Sequence, residues 1–136
     1  MKKYISIFLI VFAFIAVLTV SACKDTTTAD SLDSITIPAS NVSFNKYIQP
    51  VLTIKCANAG CHDDQTAAGS LSLTTYANVT SDYLVVAPGY PQNSKLVWRI
   101  EGTSGNIMPP LGRWPLTKNQ IDGIKTWIKE GAKNNP

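Results

Sequence analysis

The sequence has few of the side chains that usually bind metal ions. Among 136 residues there is one histidine, His62, and three cysteines. One of these, Cys23, ends the apolar N-terminal segment, so two thiols and one imidazole remain, whereas a structural zinc site needs four ligands. A zinc site is therefore disfavoured. Methionine is also scarce, because Met108 is the only methionine besides Met1.

The chain also lacks a large net charge and an internal repeat. It contains 12 lysines and arginines and nine acidic residues. Two of the lysines, Lys2 and Lys3, precede the apolar segment, so the part that begins at Cys23 has ten basic and nine acidic residues and a net charge of about +1. This balance gives no support to a nucleic-acid partner. The absence of a repeat excludes solenoids and propellers.

The one long apolar run is at the N-terminus, from Tyr4 to Val20, and follows two lysines. A basic start, an apolar core and small residues at the end are typical of a secretory signal peptide, whereas a retained membrane span needs about 20 apolar residues. We therefore predict a signal peptide over residues 1–22. The sequence V-S-A-C at its end resembles a bacterial lipobox, which implies a lipid on Cys23. The alternative is an ordinary signal peptide, which leaves Cys23 as an odd thiol.

The next segment, residues 23–40, is rich in threonine, serine and aspartate and has few large apolar side chains. Such a composition buries too little surface to offset the entropy of ordering. We predict a flexible lipid-anchored tether over residues 23–40 and a folded domain over residues 41–136. The expected location is the cell envelope, on a membrane that faces the periplasm or the cell surface.

The pattern of the domain is helical. Ser43 is a candidate N-cap for a helix that runs to Cys56, with Pro50 as a kink or boundary. Two further helices are predicted: a short helix over residues 94–101, and a terminal helix that starts after Thr117 and stops near Gly131. The predicted class is all-α, with three or four helices and long loops.

The segment C-A-N-A-G-C-H, residues 56–62, closely resembles a c-type haem attachment motif. In the common form, C-x-x-C-H, two thiols add to the haem vinyl groups and the histidine binds the iron. Here four residues separate Cys56 from Cys61. The main alternative in an exported protein is a disulfide between these cysteines, which gives His62 no role.

Met108 lies in a loop, residues 102–116, that is rich in glycine and proline. Pro109 and Pro110 follow it and restrict its backbone. A lone methionine is usually core filler. In haem c proteins, however, a methionine sulfur often fills the second axial position of the iron, so Met108 is a candidate ligand.

Taken in order, several segments resemble the class I cytochrome c domain, especially its planctomycete-type variant, over about Phe44 to Ala132. They are C-x4-C-H, G-S-L-S-L, V-A-P-G-Y-P-Q-N-S-K-L, M-P-P and P-L-T-K-N-Q-I-D-G-I-K-T-W-I-K-E-G-A. The resemblance implies a small all-α cytochrome c-like fold of three to four helices around one covalent haem c. It implies that Cys56 and Cys61 hold the haem and that His62 and Met108 are the axial ligands of its iron. It also implies that the first and last helices cross.

The resemblance implies an electron carrier and not an enzyme, because both axial positions of the iron are filled. We expect a monomer, bound to a membrane by its lipid, that exchanges electrons with a redox protein donor and acceptor. Two alternatives stay open. One is a non-haem, disulfide-stabilised binding lipoprotein, and the other is a haem sensor or enzyme with an open sixth site.

Overall fold

The computed structural model describes residues 28–136. The signal peptide, the lipid on Cys23 and the first residues of the tether lie outside the described residues and stay predictions. Across residues 28–136, all regular structure is helical and no strand is present, which confirms the predicted all-α class. No helix in this range is long and apolar enough to cross a membrane.

The described residues form five α-helices and three other helical turns. The α-helices are α1 (Ala29–Asp33), α2 (Gln49–Lys55), α3 (Tyr76–Val79), α4 (Lys95–Glu101) and α5 (Lys118–Lys129). The turns are a π-helical turn, Phe44–Ile48, and two 3₁₀ turns, Ala68–Ser70 and Pro91–Asn93.

The helical segment that leads to Cys56 begins where the sequence predicts. The Ser43 hydroxyl accepts a hydrogen bond from the Lys46 N–H at 3.0 Å, which is the usual N-cap interaction. The backbone is π-helical up to Ile48 and α-helical from Gln49. Pro50 stands at this change, where it has no N–H to donate. The first helix is thus two helical pieces joined at Pro50, and Cys56 directly follows the second.

The terminal helix also has the predicted ends. The Thr117 hydroxyl accepts from the Gln120 N–H at 3.2 Å, and the Gln120 side chain accepts from the Thr117 N–H at 3.0 Å, so a capping box starts α5. The helix ends at Lys129, and Gly131 follows with a φ of 98°. Such a left-handed residue is typical of a helix C-terminus, so the predicted stop is confirmed.

Ser94 stands at the N-cap position of α4, but its hydroxyl does not cap the helix. This hydroxyl instead accepts from the Ala87 N–H at 2.9 Å and donates to the Tyr90 carbonyl at 3.1 Å. Ser94 is fully buried. It therefore fastens the loop in front of α4 and not the helix itself.

The centre of the core is the contact between the helical segment before Cys56 and α5. The ring centroids of Phe44 and Trp127 are 5.2 Å apart, and Tyr76 meets Phe44 edge-on at the same distance. The side chains that meet here are fully buried and belong to one apolar cluster: Phe44, Ile48, Leu52, Ile124, Trp127 and Ile128. The predicted packing of the first helix on the last is therefore confirmed.

Part of the predicted tether belongs to the folded core. Leu32 and Ile37 are 2% and 4% exposed and lie in the apolar cluster. The Asn119 side chain accepts from the Ile37 N–H at 2.8 Å and donates to its carbonyl at 3.0 Å. The prediction of a flexible segment over residues 23–40 is thus wrong for residues 29–37, and the fold begins before residue 41. Ala29, Leu32 and Ile37 of this segment are buried, whereas Ile35 is 41% exposed.

An ion pair holds α1 on α2. The Lys55 ammonium is buried, and it donates to the Asp33 carboxylate and, at 2.7 Å, to the Pro115 carbonyl. The Gln120 side chain donates to the same carboxylate at 2.9 Å. The hydrogen bond from Lys55 lowers the pKa of Asp33 from its usual 3.8.

Replacement of Asp33 by asparagine should lower the free energy of unfolding by about 1–2 kcal/mol, because it leaves a buried ammonium with neutral partners. This estimate is below that for a fully buried pair, since the Asp33 side chain is 37% exposed. The native pKa is lowered, so the ion pair contributes fully above pH 3.8, and the contribution is lost as the pH falls through the native value. Denaturant unfolding of the two proteins should therefore give stabilities that converge in acid. Asp30→Asn, at an exposed position of the same helix, is the control, and an equal loss there would contradict the assignment.

Gly123 provides the space in which Ile37 packs on α5. A Cβ atom at position 123 would lie 2.7 Å from Ile37 Cγ2 and 2.9 Å from its Cδ1. Gly123→Ala should therefore destabilise the protein, although alanine favours a helix over glycine by about 1 kcal/mol. In the double variant Ile37→Ala/Gly123→Ala, the added methyl has room, so thermal unfolding should show a smaller loss than the sum of the single variants. Strict additivity would mean that the Ile37 side chain does not clash with a methyl group at position 123.

Candidate functional site

The C-x4-C-H segment folds back on the end of α2. The Cys61 N–H donates to the Asn58 carbonyl at 2.9 Å, and the His62 N–H donates to the Cys56 carbonyl at 3.2 Å. Gly60 has a φ of 81°, which favours glycine in this turn. The two residues beyond the common C-x-x-C-H spacing are therefore accommodated in a closed turn, and His62 stays next to the first cysteine.

The imidazole of His62 is held by the segment that follows it. Its Nδ1 atom lies 3.0 Å from the Leu71 carbonyl oxygen. Because a carbonyl oxygen only accepts, Nδ1 carries a proton, and in the neutral imidazole Nε2 therefore has the lone pair for a ligand. The Leu73 N–H also donates to the His62 carbonyl at 2.9 Å. The G-S-L-S-L segment thus sets both the orientation and the tautomer of His62.

Both thiols of the motif are free and half-buried. Burial raises the pKa of Cys56 to about 12, although the nearby Lys55 ammonium lowers it, and the Cys61 thiol raises it further. The Cys56 side chain packs against the apolar core. In the folded chain it is therefore a protonated thiol and a weak nucleophile.

Alkylation of Cys56 in the haem-free folded protein should be about a thousandfold slower near pH 8 than in the unfolded chain, because the thiolate is the reacting form. The rate should rise about tenfold per pH unit. Iodoacetamide labelling followed by peptide mass spectrometry measures both quantities. Labelling of the same peptide in guanidinium chloride is the internal control, and equal rates in the two states would contradict the raised pKa.

Met108 lies on a second loop, which is fastened to α4. Its N–H donates to the Arg99 carbonyl at 2.8 Å, and the Arg99 guanidinium donates to the Asn106 carbonyl at 3.3 Å. The Met108–Pro109 peptide bond is cis, and Met108 is half-buried. The structure therefore brings Cys56, Cys61 and His62 together in one turn and holds Met108 on a separate loop. Within residues 28–136, no three acidic, histidine or cysteine side chains are grouped as a metal site.

A cavity of about 430 Å³ opens beside the motif. It is lined by residues of α2, of the turn between the cysteines, of the loop after Met108 and of the start of α1: Thr53, Ile54, Asn58, Trp114 and Thr28–Asp30. None of the four predicted haem-binding residues is among them. The cavity therefore adjoins the motif through Asn58 and does not lie between the predicted ligands.

Two aspartates after His62 support the turn, a role that the sequence alone did not indicate for them. Asp63 accepts from the N–H groups of Gln65 and Thr66 at 2.8 and 2.7 Å, and the bond from Thr66 is the main reason that its pKa is lowered. Its second oxygen, Oδ2, is buried without a hydrogen-bond partner among the described residues. The Asx-turn pattern of an aspartate followed by polar residues could have indicated this role.

Asp64 ties the same loop to α3. Its carboxylate accepts from the hydroxyls of Ser72 and Thr74 at 2.7 and 2.6 Å and from the Asn78 side chain at 3.2 Å. The hydrogen bond from Thr74 is the largest cause of its lowered pKa. Because Leu71 precedes Ser72, this network also steadies the carbonyl that holds His62.

One comparison with known proteins found a similarity, which covers the second half of the C-x4-C-H motif and the Met108 loop. A family model described as Planctomycete cytochrome C matches residues 59–112, less than half of the chain. The matched range includes Cys61, His62 and Met108, whereas Cys56 and α5 lie outside it. No curated protein and no solved structure matches the chain. Residues 59–112 are thus similar to the Planctomycete cytochrome C family, and this similarity supports a role in haem binding and electron transfer.

Proposed function

We propose that this protein is a monohaem c-type cytochrome that carries single electrons while a lipid on Cys23 anchors it to a membrane. The observation that carries the proposal is the fold of the C-x4-C-H turn. Two free thiols and an imidazole whose Nε2 lone pair is available lie together at the end of α2. This is the donor set that one covalent haem c requires, so the residues present fit the group.

The haem, when bound, supplies the one-electron couple of its iron. Cys56 and Cys61 would hold it by thioethers, and His62 would bind the iron through Nε2. The Leu71 carbonyl would keep the imidazole oriented and make it a stronger donor, as hydrogen-bond partners of ligating histidines do. The free thiols and the hydrogen bond at Nδ1 of His62 support these roles.

Met108 is the proposed second axial ligand. It is the only methionine after Met1, and α4 holds its backbone through Arg99. A methionine sulfur raises the reduction potential of haem iron. With His62 and Met108 both bound, no substrate could reach the iron easily, so the protein would be an electron carrier and not an enzyme.

The proposed location is the cell envelope, facing the periplasm or the cell surface. The basic and apolar start of the chain and the V-S-A-C sequence before residue 24 support export and a lipid on Cys23. The net charge of about +1 after the signal peptide gives no reason to expect nucleic acid. We expect a monomer whose partners are a redox protein donor and acceptor.

The test is a reduced-minus-oxidised visible spectrum of protein produced together with haem-maturation machinery, followed by acid-acetone extraction. Sharp reduced bands that remain with the chain would establish covalent haem. A colourless protein from competent cells would overturn the proposal in favour of the disulfide-stabilised lipoprotein. Lipid on Cys23 is tested separately by the mass of the N-terminal peptide.

Met108→Ala should keep the covalent haem, lower the reduction potential and let carbon monoxide bind the reduced iron, because the sulfur no longer blocks the sixth position. Ile107→Ala is the matched control in the same loop and should keep the wild-type spectrum and exclude the gas. Spectra under carbon monoxide and a potentiometric titration measure both effects. Rapid binding of the gas to the wild-type protein would indicate a sensor or enzyme with an open sixth site.

A further inference from the structure

We propose that the protein lies directly on the membrane surface, through a face formed by α1 and the turn Leu111–Trp114, and does not stand away from the bilayer on a long tether. The inference rests on the proposed lipid at Cys23. The partner is the headgroup surface of a phospholipid bilayer. Three properties of the described residues support it: the docking of α1, the nearness of the turn to α1, and the chemistry of the turn.

The docking of α1 shortens the connection to the anchor. Five peptide units join Cys23 to Thr28, and an extended chain spans at most about 3.6 Å per residue, so their Cα atoms are at most about 18 Å apart. A domain of this size is roughly 34 Å across. The side of the folded domain that carries α1 must therefore be close to the bilayer.

Because α1 is packed on the rest of the folded domain, the short distance between Cys23 and Thr28 limits how far the whole domain can move from the bilayer. The Asp33 carboxylate binds the buried Lys55 ammonium of α2, and Ile37 is bound on both backbone groups by Asn119 of α5. The start of the fold is thus fixed to both helices of the core. A flexible segment over residues 23–40 would have had no such effect.

The turn Leu111–Trp114 lies next to α1. Trp114 lines the 430 Å³ cavity together with Thr28–Asp30. The Lys55 ammonium that binds Asp33 of α1 also binds the carbonyl of Pro115, the residue after Trp114. The end of the turn is therefore held to the same lysine as α1.

The exposed side chains of this turn suit a membrane interface. Leu111 is 95% exposed and Trp114 is 58% exposed, so one short turn presents two large apolar side chains to solvent. Arg113 is exposed between them. Leucine can enter the acyl boundary, tryptophan favours the headgroup level, and arginine pairs with phosphate.

The same face has one feature that opposes membrane binding. Asp30 is exposed on α1, and its carboxylate is repelled by anionic lipids. Arg113 brings one opposite charge, so the face is close to neutral. A turn of this size has little membrane affinity alone, and the anchor would supply a high effective concentration of bilayer. Contact should therefore depend on the lipid at Cys23.

Hydroxyl-radical footprinting of the full-length holoprotein tests this face. The lipidated protein in vesicles of phosphatidylcholine with a minor fraction of phosphatidylglycerol is compared with the soluble variant Cys23→Ser without vesicles. We expect oxidation of Leu111 and Trp114 to fall several-fold in the lipidated sample. Tyr83 and Leu84, which are 60% and 58% exposed, are internal controls and should react equally in both samples.

Each other outcome overturns the proposal in a recognisable way. Equal oxidation of Leu111 and Trp114 in the two samples, with lipid present on Cys23, removes the face but leaves the anchored cytochrome intact. Slow oxidation of both residues in the soluble variant means that the haem or a second copy of the chain covers them. A mass spectrum without lipid on Cys23 removes the anchor and the face together, while the visible spectrum reports the haem independently.

Discussion

The contact of Phe44 with Trp127 joins the helical segment before Cys56 to α5, and the C-x4-C-H turn depends on it because Cys56 is the residue at which that segment ends. The end of the chain reinforces the contact. The Asn135 side chain accepts from the Phe44 N–H at 2.8 Å and donates to the Val42 carbonyl at 3.2 Å, and the Glu130 carboxylate accepts from the Val42 N–H at 2.9 Å. Contacts between residues far apart in sequence thus hold the helical segment that ends at Cys56.

Each of the two residues proposed to bind the iron donates a hydrogen bond to a backbone carbonyl. Leu71 holds the imidazole of His62, and Arg99 holds the main chain of Met108. Neither carbonyl depends on the other loop, so the two sides of the site are organised separately by the protein.

Local signals predicted the parts of the fold that local interactions stabilise. The caps at Ser43 and Thr117 bond residues three positions ahead, so the sequence alone indicates them. The place of α1 was not predictable in this way, since Asp33 and Ile37 acquire their partners only when α2 and α5 are already packed. The candidate site also has predictable and unpredictable parts. Its reactive side chains are recognisable by type and spacing, whereas the carbonyls of Leu71 and Arg99 have no signature, because every residue has a carbonyl.

The order of the elements along the chain sets a sequence of events during maturation. The C-x4-C-H turn precedes α5, yet the core against which Cys56 packs contains Ile124, Trp127 and Ile128 of α5. A chain that emerges with its N-terminus first therefore exposes both cysteines before the helix that completes their surroundings has appeared. Attachment of the proposed haem and closure of the fold would compete for the same interval, and a slow arrival of α5 would favour the attachment.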